Sequence, residues 1–217
     1  VVPWEEERMK RLFDIVASFL GLAVLSPLLA ALAAIVKLTS PGPVVYRGVR
    51  AGRGGRPFRI MKFRSMVVNA EKLGGPSTSD DDPRVTRIGA FMRRFKLDEL
   101  PQLFNVLLGE MSLVGPRPEV LSEVETYTAE QKRILEVRPG ITDWASIWNS
   151  DEGAVLAGAV DPHAVYKERI QPTKLALQLK YREEASVPTD LRIIAYTLRK
   201  ILNRTFVPEE LRPFGKP

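Results

Sequence analysis

Hydrophobic residues follow three patterns along this chain. The first is a continuous block: Ile15 to Val36 reads IVASFLGLAVLSPLLAALAAIV, 22 residues without a charge. A helix of that length rises roughly 33 Å, enough to cover a bilayer core. The second pattern is short and strand-like. Val44-Val45-Tyr46 and Phe58-Arg59-Ile60-Met61 flank the stretch Gly52 to Pro57, which predicts two strands and a hairpin-type loop. The third has helical spacing: Ile88 to Phe95, Asp98 to Gly109 and Leu191 to Arg204 each predict a helix. The expected fold is α/β in the mixed α+β sense, mostly helical with a small β-hairpin.

The apolar block exceeds the 7–15 residues or so of a signal-peptide core. Apolar all round, it is also more than a soluble domain of 217 residues needs to bury. Ser26-Pro27 sits in its middle. Pro27 removes an intrahelical hydrogen bond, so a bend is expected, and the Ser26 hydroxyl can serve the freed backbone. Arg8, Lys10 and Arg11 precede the block. Lys37, Arg47, Arg50, Arg53, Arg56, Arg59, Lys62 and Arg64 follow it, with no acidic residue from Lys37 to Arg64. Basic flanks belong on the cytoplasmic side. A straight span satisfies that rule at one end only; a bent helix that enters and leaves by one face satisfies it at both. Residues 1–39 are therefore expected to form a re-entrant membrane anchor, and 40–217 a cytoplasmic domain.

The last predicted helix allows two placements. Leu191, Ile194, Ala195, Leu198 and Leu202 share one side, while Arg192, Arg199, Lys200 and Arg204 supply charge. It can pack on the domain with a solvated basic face, or lie in the headgroup layer as an amphipathic interfacial helix. Basic residues there gain about 1 kcal/mol each near anionic lipid.

Composition narrows the chemistry. Lys plus Arg number 32 against 26 Asp plus Glu, a net charge of +6, which points to an anionic partner: nucleic acid, a phosphorylated substrate or a membrane surface. Absence of Cys excludes disulfides, Cys-based zinc sites and thiol catalysis. With His163 as the one His, acid–base work falls to carboxylates, Lys or Tyr. The acidic turn Asp80-Asp81-Asp82-Pro83 reads as solvated loop or, less simply, as a metal contact. Tyr166 and Tyr181 read as packing residues.

The segment RRFKLDELPQLFNVLLGEMSLVGPRPE, Arg93 to Glu119, is the densest in chemistry. Asp98 can cap a helix, Glu99 suits a first turn, and Gly109 is a stop. Both acids can be capping residues and nothing more. They can equally converge on a ligand at the helix entrance, beside Arg93, Arg94, Lys96 and Arg117. Such a cluster suits a phosphoryl substrate with a hard cation, one carboxylate holding Mg²⁺ and the other attacking or activating.

FRIMKFRSM (Phe58 to Met66), DPRVTRIG (Asp82 to Gly89), LDELPQLFNVLLGEMSLVGPRPE (Leu97 to Glu119) and VRPGIT (Val137 to Thr142) occur in order after a short apolar anchor with Ser-Pro. Together they resemble the bacterial sugar transferase family, the small monotopic polyprenyl-phosphate phosphoglycosyl transferases, over about residues 8 to 148. The resemblance implies transfer of a phosphosugar from a UDP-sugar to undecaprenyl phosphate, with Mg²⁺, releasing UMP at the cytoplasmic face of the bacterial inner membrane. It implies Asp98 as a nucleophile that forms a covalent intermediate, and Glu99 as its partner and Mg²⁺ ligand. Arg93 and Arg117 match positions near substrate or lipid phosphate, and Lys62, Arg64 and Arg138 join them as basic residues of the same motifs. Ser26 and Pro27 match the break of a re-entrant helix.

After VRPGIT many members continue Gly-Trp-Ala-Gln-x-Asn-Gly-Arg. Here the text is Asp143-Trp144-Ala145-Ser146-Ile147-Trp148-Asn149-Ser150, without that Gln or Arg; Arg138 is the residue expected to compensate. Reaction type therefore carries over further than donor identity. The first residue is Val1, which leaves room for an upstream segment. A nucleic-acid-binding module would leave the apolar block without purpose, and no aromatic–basic stacking pattern accompanies the charge; no nucleic acid is expected. A basic membrane adaptor would leave Asp98-Glu99 idle. A two-carboxylate glycosidase would not need the flanking Arg residues. A homo-oligomer is compatible with the sequence and not specified by it.

Overall fold

A computed structural model describes residues 4–75 and 77–215. Helix α1 (Trp4–Thr39) is followed by an antiparallel hairpin, β1 (Val45–Ala51) and β2 (Pro57–Phe63). Then come α2 (Arg87–Arg94), α3 (Gln102–Leu108), β3 (Ser112–Val114), α4 (Leu121–Glu125) and β4 (Gly140–Thr142). The remainder is helical: α5 (Trp144–Trp148), α6 (Glu152–Leu156), α7 (Pro162–Val165), α8 (Gln171–Glu184) and α9 (Val187–Leu202). The chain is thus mostly helical with few strands. β3 and β4 form a parallel pair, Ser112 opposite Gly140 and Val114 opposite Thr142, that no alternation announces because each strand has only 3 residues.

The hairpin is longer than its apolar signal. Its register runs from Val45–Phe63 to Ala51–Pro57, because Arg47, Arg50 and Arg59 occupy strand positions. The helix expected to begin at Asp98 begins later. Asp98 lies in a single 3₁₀ turn, Leu97–Glu99, entered through Lys96 in the left-handed region (φ 57°), and the α-helical span starts at Gln102 after Pro101. The side chain of Asp98 caps nothing, which removes the capping explanation for its presence. Gly109, at φ 85°, ends α3 as expected.

Helix α1 is seated on the folded body near both its ends. Lys10 pairs with Asp190 of α9 and donates to Val114 O at 3.0 Å. Asp14 accepts from Leu113 N at 3.0 Å, and Arg11 donates to Val106 O and Leu107 O at the end of α3. At the other end Leu32 and Val36 are buried with Phe63 and Met92. The helix continues through Pro27, and Ser26 Oγ donates to Ala23 O at 2.8 Å. That carbonyl is the one an i→i−4 bond from residue 27 would have used, as the Ser-Pro pair suggested. The other face, with Phe19, Leu20, Val24 and Leu28, is exposed.

The main core gathers Trp144, Ile147, Leu156, Leu177, Tyr181, Ile193 and Leu211 from α5, α6, α8, α9 and the tail. Tyr166 and Tyr181 are buried in it. A second layer of Phe58, Ile60, Val106 and Met111 fastens the hairpin to α3. In α9 Leu191, Ala195, Leu198 and Leu202 face outward, whereas Ile194 of the same stripe packs on the main core beside buried Ile193 and half-buried Tyr196. The helix is thus packed on the domain and also presents outward apolar residues, so both placements remain compatible with it.

Candidate active site

Four elements converge on the Asp98-Glu99 turn. β2 brings Lys62, α2 brings Arg93, the turn itself brings the two acids, and the Gly115-Pro116-Arg117-Pro118 turn after β3 brings Arg117. Asn105 sets the position of β2 relative to α3. It is fully buried, accepts from Met61 N at 2.9 Å, and donates to Arg59 O at 2.9 Å and to Glu110 Oε2 at 2.7 Å. The bonds to Arg59 O and Met61 N bracket Ile60 and fix β2 up to the residue before Lys62, which reaches the acids.

Glu99 is clamped. Lys62 Nζ lies 2.8 Å from Oε1, Arg117 Nη1 donates to Oε2 at 3.1 Å, and Arg117 Nη2 donates to Oε1. The guanidinium therefore meets the carboxylate side by side, the strong bidentate form. Burial alone would raise the Glu99 carboxyl; Arg117 and Lys62 outweigh it and hold Glu99 well below the ordinary carboxylate range. Its charge in turn pushes Arg117 up. Burial pulls Lys62 below its ordinary value despite Glu99.

Asp98 is the opposite case. It is 6% exposed, and among the described residues no hydrogen bond or ion pair holds its carboxylate. Burial, then the neighbouring Glu99 charge, raises it above the ordinary Asp value, while Lys62, Arg93 and Lys96 act against that. Arg93 stands within electrostatic reach and is steadied by Ser65, to whose Oγ its Nε donates at 2.9 Å. Gly89 makes this approach feasible: a Cβ there would lie 1.9 Å from Ser65 O. Two adjacent acids in contrasting environments are the arrangement that separates a nucleophile from a fixed anion.

Not every expected phosphate contact is here. Arg64 turns away and binds the end of α1, donating to Ser40 O and Ser40 Oγ at 2.7 Å and also to Pro43 O. Arg138 donates to Gly109 O at 3.2 Å and pairs with Glu7 of α1 at 3.1 Å. The structure brings together Lys62, Arg93, Asp98, Glu99 and Arg117, and places Arg64 and Arg138 on the seating of α1. The Asp80–Pro83 turn is a largely exposed loop, as its solvated reading expected: only Asp82 is half-buried, paired with Arg84, and Asp81 Oδ2 accepts from Gly158 N at 3.2 Å.

Mg²⁺ with a diphosphate needs only one or two carboxylates and no all-protein cage. No group of three or more acids or His forms such a cage among the described residues. The donor set fits the smaller demand. A carboxylate has about four lone-pair sites; the bonds from Lys62 and Arg117 leave room on Glu99 Oε2, and Asp98 is uncommitted.

Ser65, Asn105 and Asp143 are the structural supports that sequence reasoning passed over. For Asn105 a signal existed: one amide among Leu103, Phe104, Val106, Leu107 and Leu108. A buried amide demands partners.

The sequence profile of the bacterial sugar transferase family matches residues 5–204. Over 197 residues the chain is 47% identical to the UDP-N-acetylgalactosamine-undecaprenyl-phosphate N-acetylgalactosaminephosphotransferase of Aeromonas hydrophila, covering 89% of this chain and 44% of that one. It is 40% identical over 201 residues to the UDP-glucose:undecaprenyl-phosphate glucose-1-phosphate transferase of Escherichia coli K12, covering 88% and 40%. It is 39% identical over 203 residues to the exopolysaccharide production protein PSS of Rhizobium leguminosarum bv. phaseoli, covering 90% and 96%. The chain thus spans less than half of the first two relatives and nearly all of the third.

Proposed function

The chain belongs to the bacterial sugar transferase family, and from that premise we propose that it moves a phosphosugar from a UDP-sugar to undecaprenyl phosphate at the cytoplasmic face of the inner membrane. One observation carries this: a buried, unpartnered carboxylate, Asp98, beside a carboxylate, Glu99, that Arg117 and Lys62 keep ionised. The names of the relatives give the donor and acceptor classes.

Asp98 attacks the sugar-bearing phosphorus of the donor; the bond to UMP breaks and UMP leaves. An oxygen of undecaprenyl phosphate then attacks the same phosphorus and releases Asp98. The two steps let a soluble donor and a lipid acceptor use the centre in turn. Arg93 and Lys62 are placed to offset charge on the transferring phosphoryl group. Glu99 would hold Mg²⁺, whose charge offsets that of the diphosphate.

Exposed apolar side chains support a membrane-bound reading. Phe19, Leu20 and Val24 of α1, Phe91 of α2, Phe104 and Leu108 of α3, and Leu198 and Leu202 of α9 are all exposed apolar side chains. Arg204 Nη2 donates to Arg94 O at 2.6 Å and ties the end of α9 to the end of α2. The seating of α1 on one body at both ends supports a helix that dips and returns. The test is a panel of UDP-sugars with undecaprenyl phosphate, scored by UMP release. One donor should give turnover that needs the lipid; no UMP from any donor would refute the assignment.

A further inference from the structure

Asp143 is wholly buried, and no cation pairs with it among the described residues. One oxygen caps α5, accepting from Ser146 N at 2.6 Å. The other accepts from Arg117 N at 3.3 Å and from Gln178 Nε2 at 3.2 Å. In the turn Gly115-Pro116-Arg117-Pro118 the two prolines have no N–H to give. Gly115 N goes to Thr142 O at 3.0 Å, so the Arg117 N–H is the remaining backbone donor of the turn, and Asp143 receives it.

A helix cap needs one oxygen, and a serine would supply it. Burying a whole carboxylate without a cation is costly unless each oxygen is used. Here the second oxygen is used on the backbone of the residue whose guanidinium meets both oxygens of Glu99. Bidentate pairing tolerates little displacement of either partner. We propose that Asp143 is a positioning residue for the transfer reaction: by holding the Arg117 backbone it aims the guanidinium at Glu99. This role presupposes the Asp98, Glu99 and Arg117 centre proposed above.

Asp143→Ser separates the two tasks, since serine keeps the α5 cap but is too short to serve Arg117 and Gln178. Asp143→Asn keeps the shape and has one acceptor oxygen. Each is measured for kcat, donor KM and thermal midpoint, in the parent and in an Arg117→Lys background. Both variants should stay folded with donor KM nearly unchanged. In the parent, kcat should fall about tenfold or more, the loss expected of a hydrogen bond to a charged group. In the Arg117→Lys background, where no side-by-side pairing remains to be aimed, the same substitutions should change kcat by less than about twofold. An equal loss in both backgrounds, an unchanged kcat in the parent, or unfolding of both variants would each assign Asp143 to stability and overturn the proposal. Asp98→Asn run alongside distinguishes the levels: turnover in that variant defeats the proposed centre, whereas a dead Asp98→Asn beside an undisturbed Asp143→Ser defeats only the positioning role.

Discussion

Arg117 binds both carboxylate oxygens of Glu99, while Asp98, immediately before it, has no hydrogen-bond or ion-pair partner among the described residues. The pairing keeps Glu99 ionised and leaves the Asp98 oxygens uncommitted. Its consequences are open to direct measurement.

Asp98 should carry the phosphosugar. Enzyme mixed with its UDP-sugar and no lipid should release UMP in a burst close to one per site. Intact mass should show a phosphosugar adduct, and peptide mapping should put it on Asp98. Asp98→Asn should lose both and remain folded in the membrane. A correct donor that gives no burst, with sequential kinetics, would falsify the covalent route.

Turnover should stop in EDTA and return with Mg²⁺. Glu99→Gln keeps size and loses charge, so it should lower kcat by about a hundredfold or more, in line with loss of a preorganised electrostatic group. It also leaves Arg117 and Lys62 facing no anion. Full activity in EDTA would remove the metal from the mechanism.

Arg8 and Arg50 should lie on the same side of the membrane. With no native Cys, Arg8→Cys and Arg50→Cys can be probed by an impermeant thiol reagent. Both should be protected in intact spheroplasts and react after permeabilisation. Labelling of one site alone would defeat the re-entrant path, and Pro27→Ala should send part of the population across.

Glu119 offers a test of stability against pH away from the acids of the site. It pairs with Lys174 beside Tyr166. Burial would raise Glu119, but Lys174 outweighs it and holds it below the ordinary carboxylate value. Glu119 keeps Lys174 well above its own ordinary value against the pull of burial. A depressed carboxylate stabilises above its unfolded pKa and loses that contribution as pH falls; a raised lysine loses its contribution as pH rises. Glu119→Gln should therefore cost roughly 3 kcal/mol between about pH 5 and 10, with the gap to the parent closing below about pH 4. A gap independent of pH would mean that packing, not charge, is lost.

Much of the centre can be read along the chain because it is local: Asp98, Glu99 and Arg93 sit within one short segment, and Arg117 follows in a proline-framed turn. The hairpin and α2 announce themselves through spacing and Gly or Thr signals. The supports are less legible. Asp143 and Arg117, or Asn105 and Met61, meet only after folding, and neither pair leaves a periodic trace. A basic residue inside a motif is ambiguous for a physical reason: carbonyls at a helix end attract a guanidinium as phosphate does. Arg64, on the carbonyls of Val36 and Ser40, and Arg138, on that of Gly109, took that course.

The pairing of Lys10 with Asp190 joins residues 180 positions apart, and this orders events in time. At about 5–20 residues per second, α1 leaves the ribosome roughly 10–40 s before its partner is made. Lys10 is therefore without Asp190 while the rest of the chain is made, and the final lock closes only once α9 has been synthesised. A chain stopped before α9 should lack this lock and remain open to proteolysis near residue 10, because residue 10 is synthesised long before its partner.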